Sequence, residues 1–314
     1  MSKYKTPETK THINFIGMRW VAFVVSTLIV LTSIGLIATK GLSFGIDFTG
    51  GTLIEIKLDE TPDLSQIRES LNNLNLGGIS IQEFGTPQDL LIRMPEQPGD
   101  EEAQQAAINS IRDVLDSSFE KIDYRRVEYV GPQVGEELKK QGLYAILFSL
   151  GGILIYIALR FEWKFGVAAI LALAHDAVAT IGLFAFTQME FNLSTVAAVL
   201  MIAGYSINDT VIVFDRIREN LRKFKKMELP TLFNQAINQT LARTIMTSFT
   251  TMLALIALWM FGGEVIQSFV NALIFGIVVG TYSSIFVASP ILLMIGVERN
   301  ADSASSHPDA EVVQ

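Results

Sequence analysis

Six long apolar runs, separated by short polar breaks and by one long mixed stretch, set the pattern of this chain. A bilayer core takes about 20 mainly apolar residues as a helix. The runs at 20–38, 142–160, 165–187, 191–214, 243–262 and 267–295 qualify. They predict a polytopic α-helical membrane protein with six transmembrane helices. The first run follows basic residues, as a signal peptide does. It is long for the apolar part of one, and Ala38-Thr39-Lys40-Gly41 is a poor cleavage site, so an uncleaved signal anchor is the reading.

The mixed stretch, 39–141, has the patterning of a small folded domain. Thr52–Leu58 alternates like a strand, and Pro62–Leu74 places Leu64, Ile67, Leu71 and Leu74 on one helical face. Ile79–Phe84 and Leu90–Met94 are strand-like, with Gly85-Thr86-Pro87 between them. Glu101–Phe119 has helical spacing and Ile122–Val130 is a last strand. The order β-α-β-β-α-β predicts an α+β ferredoxin-like domain. That fold hosts many functions and identifies none by itself.

Charge orients the spans. Lys3, Lys5, Lys10 and Arg19 precede the first run, and Arg160 and Lys164 lie between the second and third. Arg216, Arg218, Arg222, Lys223, Lys225 and Lys226 follow the fourth, and Arg299 follows the sixth. These places share one side of a six-span chain, whereas Thr187–Phe191 and Gly262–Gln267 contain no Lys or Arg. The basic side is expected to be cytoplasmic. That makes 1–19 a cytoplasmic N-terminus, 39–141 a periplasmic domain, 215–242 a cytoplasmic basic loop and 296–314 a disordered cytoplasmic tail. The basic run after the fourth span either binds anionic lipid head groups or only fixes orientation.

Composition removes several classes of function. Half of the 314 residues are hydrophobic, the mean hydropathy is +0.38, and there is no cysteine to form a disulfide or thiolate metal site. His12, His175 and His307 are too scattered for a histidine zinc motif. The net charge of −8 argues against nucleic acid as the main partner. No phosphate-binding G-x-x-x-x-G-K-[ST] pattern occurs. No nucleophile–base pair is visible, so no enzyme activity, cofactor or metal is expected.

The candidate chemistry is polar groups inside apolar runs, where a charge costs roughly 2.5–3.5 kcal/mol on insertion scales. Asp209 stands in Gly204-Tyr205-Ser206-Ile207-Asn208-Asp209-Thr210, about 9 Å inside the membrane edge if Asp215-Arg216 marks it. Tyr205 and Ser206 fall on its helix face. Desolvation penalises the ionised form of such an acid, which suits it to taking up and releasing a proton. The other reading is a structural acid that bonds a neighbouring helix. Arg243, at the inner end of the fifth run, either reaches Asp209 from an antiparallel neighbour or snorkels to the interface. His175-Asp176, near the middle of the third run, is either a proton relay or a hydrogen bond between helices. Gly276 and Gly280 make a G-x-x-x-G step that permits close helix approach.

Several segments together resemble the SecF family of the bacterial Sec protein-export machinery. They are Phe44-Gly45-Ile46-Asp47-Phe48-Thr49-Gly50-Gly51, Val130-Gly131-Pro132-Gln133-Val134-Gly135, Ala174-His175-Asp176, Gly204–Thr210, and Phe214-Asp215-Arg216-Ile217-Arg218-Glu219-Asn220. The resemblance, over about 12–297, implies half of a proton-driven transporter of the resistance-nodulation-division superfamily in the bacterial inner membrane. It implies SecD as the other half, with the SecYEG translocon, SecA, the exported preprotein and membrane lipids as further partners, and YajC as one more candidate. Asp209 and Arg243 match family positions associated with proton transfer. Asp47 carries no evident chemistry, and the glycines around it, Gly45, Gly50 and Gly51, suit tight turns. Two rival functions stay open: half of a small-molecule or lipid transporter, and a translocon scaffold without transport.

Overall fold

A computed structural model describes residues 12–99, 101–263 and 266–297. Lys3, Lys5, Lys10, Arg299 and most of the expected tail lie outside the described residues. The element order is α1 (Arg19–Thr39), β1 (Ser43–Phe44), α2 (Ile46–Thr49), β2 (Gly51–Leu58), α3 (Leu64–Asn72), β3 (Ser80–Phe84), β4 (Thr86–Met94), α4 (Glu101–Ser118) and β5 (Ile122–Val130). Then follow α5 (Pro132–Arg160), α6 (Trp163–Thr187), β6 (Glu190–Phe191), α7 (Leu193–Lys223), α8 (Leu229–Phe261), α9 (Gln267–Ser283), a π-helical turn (Ser284–Ala288) and α10 (Ser289–Ile295).

Outside the bundle, β2 to β5 form one antiparallel sheet in the order β3-β4-β2-β5, with the β-α-β-β-α-β succession read from the sequence. The alternating residues Ile54, Ile56, Leu90 and Ile92 point to one face, where Ile67 and Leu71 of α3 and Ile108, Ile111 and Leu115 of α4 cover them. Asp63 starts α3 by accepting from the Ser65 amide at 2.8 Å, a cap of about 1 kcal/mol. The break between β3 and β4 is tighter than expected. Gly85, at φ 82°, is its one intervening residue, and Thr86-Pro87 already belong to β4.

The opposite face is polar where the strands carry charge. Glu55 pairs in register with Arg126, while Ile56 pairs with Tyr124, so Arg125 is an extra residue in β5. A bulge of this kind turns a side chain out of alternation. Arg125 and Arg126 thereby both address Glu55, at 3.9 and 3.7 Å, and Arg125 also reaches Asp89 at 3.2 Å.

Six helices are long and apolar enough to cross a membrane. Over their most apolar 18 residues, α6, α7 and α9–α10 are at least half buried, whereas α1, α5 and α8 are less than a fifth buried and form the periphery. Small residues set the close approaches. A methyl group on Gly182 of α6 would strike Ser33 of α1, and one on Gly276 of α9 would strike Ile202 of α7.

Two boundaries depart from the sequence reading. Helix α5 starts at Pro132 rather than near 142. The stretch 215–242, expected as a loop, is helical except for 224–228. Its charge hid an amphipathic pattern. Leu221, Phe224, Leu232, Phe233 and Ile237 bury themselves in an apolar cluster at that end of the bundle. Arg216 and Glu219 pair along the helix at 2.6 Å, a spacing that supports helix in water.

Candidate functional site in the membrane core

Helix α7 carries the site. It begins with a reciprocal cap: Asn192 accepts from the Thr195 amide at 3.0 Å and the Thr195 hydroxyl accepts from the Asn192 amide at 3.3 Å. It then runs without a break past Ser206 and Asp209. Asp209 lies about 24 Å along the helix from Leu193, at 1.5 Å per residue. It is fully buried, and neither carboxyl oxygen has a hydrogen-bond partner among the described residues.

Arg243 of the adjacent α8 is at similar depth, about 27 Å from Phe261 along its helix. Its side chain is exposed and forms no ion pair with Asp209. The contact contemplated from the sequence is therefore not made here. Arg243 is nonetheless near enough for its charge to act on Asp209.

His175 and Asp176 of α6 are both buried, and their Nδ1 and Oδ1 atoms are 2.9 Å apart. The second oxygen, Oδ2, accepts from the hydroxyls of Ser206 on α7 and Ser283 on α9, the latter at 2.7 Å. Asp176 thus ties three helices together. Gly280 makes room for this: a Cβ there would meet Ser206 Cβ at 3.0 Å. The G-x-x-x-G step is a packing device, as read, and what it packs is the polar centre. The other ring nitrogen of His175, Nε2, has no hydrogen-bond partner among the described residues, and Tyr282 lies with its ring centroid 6.3 Å away.

One turn further along α7 from Ser206, the polarity continues. Thr210 Oγ1 and Ser284 Oγ are 2.9 Å apart, and Ser284 also donates to the Gly280 carbonyl at 2.9 Å. Ser284 opens the π-helical turn, across which Ser289 donates to its carbonyl at 3.0 Å. Pro290 has no amide to give the helix ladder, and a widened turn ahead of it accommodates the missing bond.

The structure thus brings His175, Asp176 and Ser206 into one network and leaves Asp209 a turn away from it. Tyr205 bonds elsewhere, donating to Ser248 of α8 at 3.3 Å, and Asn208 is exposed. Ser283, Ser284 and Thr210 were not singled out in the sequence. The only available signal was a Ser-Ser pair ahead of Pro290 in an apolar span.

Gly45, Asp47, Gly50 and Gly51 lie at the other end of α7, where the sheet domain meets the bundle. Asp47 Oδ2 accepts from the Leu193 amide at 2.8 Å, the first residue of α7. Gly50 and Gly51 have φ of 70° and 106°, and a Cβ on Gly50 would crowd the Pro132 backbone at 3.2 Å. The glycines are needed for backbone approach as well as for turning.

A six-span bundle with a partnerless acid beside a hydrogen-bonded one, crowned by a small sheet domain, defines an integral membrane protein with a titratable core. The chain belongs to the SecD/SecF family of protein-export membrane proteins. The family model described as "Protein export membrane protein SecD/SecF, C-terminal" matches residues 110–298, and the "SecD/SecF GG Motif" matches 35–62. Protein translocase subunit SecF of Magnetococcus marinus is 48% identical over 287 residues, 91% of this chain and 92% of that one. The subunit of the same name from Vibrio alginolyticus is 46% identical over 285 residues, 90% of each chain. The crystal structure of SecDF from Thermus thermophilus, a translocon-associated membrane protein, superposes with a TM-score of 0.83 at 36% identity. It covers 92% of this chain, which spans 39% of that longer one.

Proposed function

We propose that the chain works as the SecF-type half of a proton-driven export assistant, with Asp209 as its proton carrier. The observation that carries this is a fully buried carboxyl group with no donor and no ion pair, in a family of protein-export membrane proteins. A buried carboxylate without partners is expensive. A group that alternates between a bound proton and a transient partner resolves that cost in turn. Arg243, at matching depth, is such a partner within the chain. His175 and Asp176 extend the polar path toward the domain side through Ser206.

The other half is a SecD chain. An exposed arginine at membrane depth fits a protein neighbour better than lipid, and α8, the helix that carries it, is a peripheral one. The assembly acts beside SecYEG on the preprotein that SecA drives in, with YajC as an accessory. The Lys and Arg asymmetry puts both termini on the cytoplasmic side of the inner membrane and the sheet domain in the periplasm. Each charge crossing yields about 2.3 kcal/mol per 100 mV, enough to bias two arrangements of the exported domains. No covalent chemistry is involved.

The test is export into inverted membrane vesicles containing the complex with SecD, with proton and sodium gradients imposed separately. Asp209→Asn assembles normally and loses the increment that the proton gradient gives. Wild-type gradient dependence in that variant, or an increment that follows sodium alone, overturns the reading. An assembly that helps export equally with and without any gradient is a scaffold.

A further inference from the structure

The contact between the sheet domain and the bundle is made on the very helix that bears Asp209. We infer that Arg93 and Glu190, with Asp47, form a rigid clutch that makes α7 and the sheet domain move as one body. This rests on the proton-driven reading above and names the element that transmits it.

Five observations converge on the clutch. Arg93, near the end of β4, pairs with Glu190 at 3.0 Å, with side chains only 17% and 14% exposed. Such a pair is better shielded than a surface one, so it resists screening. Glu190 belongs to β6, which pairs in parallel with β1, and the Gly45 amide donates to the Phe191 carbonyl at 2.9 Å. The Glu190 carboxylate lies against Gly45 where a Cβ would sit, so the glycine admits the acid. Asp47 holds the first amide of α7, as given above, and a carboxylate at a helix N-terminus is favoured by the helix dipole. Beneath the pair, Phe44, Phe48 and Phe184 all contact the Phe191 ring, with centroids 5.6–6.1 Å apart.

The two-residue parallel bridge is too short to hold a domain by itself. Beside the covalent run of β5 into α5, the ion pair adds a direct link from the sheet, through β4, to the α6–α7 connection. From Leu193 onward α7 is one continuous helix through Asp209, with no proline in it. A displacement or rotation of the helix at Asp209 is therefore delivered to the domain at Arg93. Neither Arg93 nor Glu190 touches the proton; both are positioning residues.

Three measurements decide it, on the full complex in vesicles: assembly, proton uptake and gradient-driven export. Arg93→Glu assembles and still takes up protons, but its gradient-dependent export falls about tenfold, within the usual range of coupling between sites. The reversed pair, Arg93→Glu with Glu190→Arg, restores export. Asp209→Asn differs by losing proton uptake as well, so failure of the clutch and failure of the proton reading give separate signatures. The chain has no cysteine, so Arg93→Cys with Glu190→Cys can be bridged cleanly by a short bis-maleimide. The bridged protein keeps gradient-driven export, because the clutch stays closed. Unimpaired export in Arg93→Glu overturns the inference, as does a reversed pair that assembles without regaining export. Loss of export on bridging, with a monofunctional maleimide harmless, also overturns it by requiring the contact to open.

Discussion

Asp176 and Asp209 are two buried acids on adjacent helices in the same bundle, and they are treated oppositely. Asp176 has three donors around it, from α6, α7 and α9. Asp209 has none. Nothing about the residue type distinguishes them, and in depth they differ by little more than a helical turn. The difference lies in what faces them. Asp176 looks into the tightest part of the core, where Gly280 brings α9 against Ser206. Asp209 sits one turn further on, level with an exposed arginine that makes no ion pair with it. A satisfied carboxylate holds helices together, while an unsatisfied one is available for a transient occupant. Buried groups of the second kind are the ones to read as functional.

The strongest way to break that contrast is to remove both charges in turn and ask which loss is functional. Asp209→Asn is expected to abolish the gradient-dependent increment of export while leaving the melting temperature in detergent almost unchanged, since no bond is lost. Asp176→Ala is expected to do damage of another kind. It leaves the Ser206 hydroxyl without its acceptor and His175 Nδ1 without its partner, while Ser283 keeps only the Gly280 carbonyl at 3.1 Å. Each buried unsatisfied group costs about 1–3 kcal/mol, so the variant loses several kcal/mol of stability and much of its assembled yield. If Asp176→Ala melts like wild type while Asp209→Asn unfolds, the assignment of the two acids is reversed.

A finer cut is to keep Asp176 and remove its donors. Ser206→Ala is expected to cost about 1 kcal/mol, the net worth of one hydrogen bond, and Ser283→Ala the same. Made together they are non-additive, because both hydroxyls serve the same oxygen and neighbours in one network couple. Unfolding of the two single variants and the double one gives the coupling directly. Strict additivity would mean that the two serines do not share the acid.

Much of this contrast was hidden in the sequence, for reasons that differ by residue. Asp209 was legible because an acid in an apolar span stands out by hydropathy alone. Asp176 was equally visible, but its partners were not. Serines are unremarkable in a span, and which of them meets the acid depends on how α6, α7 and α9 pack. The 215–242 stretch was misread because its charges suggested a loop, when the apolar positions between them carry a helical face. The turn-forming glycines around Asp47 were readable as geometry. The partner of Asp47 itself was not, since Leu193 is 146 residues away. The strands of the sheet domain, by contrast, showed themselves through local alternation.

A third buried acid, outside the membrane, extends the comparison to charged partners. Glu55 is 1% exposed, at the centre of the sheet, with Arg126 at 3.7 Å and Arg125 at 3.9 Å rather than hydroxyls around it. Burial pushes its carboxyl up from the ordinary 4.5, and Arg126 and Arg125 pull the other way without cancelling the rise. An acid whose proton affinity is higher folded than unfolded favours the fold in its neutral form. Its contribution is whole below about pH 4.5 and is lost as pH rises through the elevated value. The melting temperature should therefore carry a small downward component with rising pH from that point, and Glu55→Gln should remove it. The arginines decide how small it is, because a better-placed pair would have held the acid ionised. A Glu55→Gln variant with the same pH slope as wild type would show that the arginines fully compensate the burial. Glu55 would then stand with Asp176 as a satisfied acid and leave Asp209 without company.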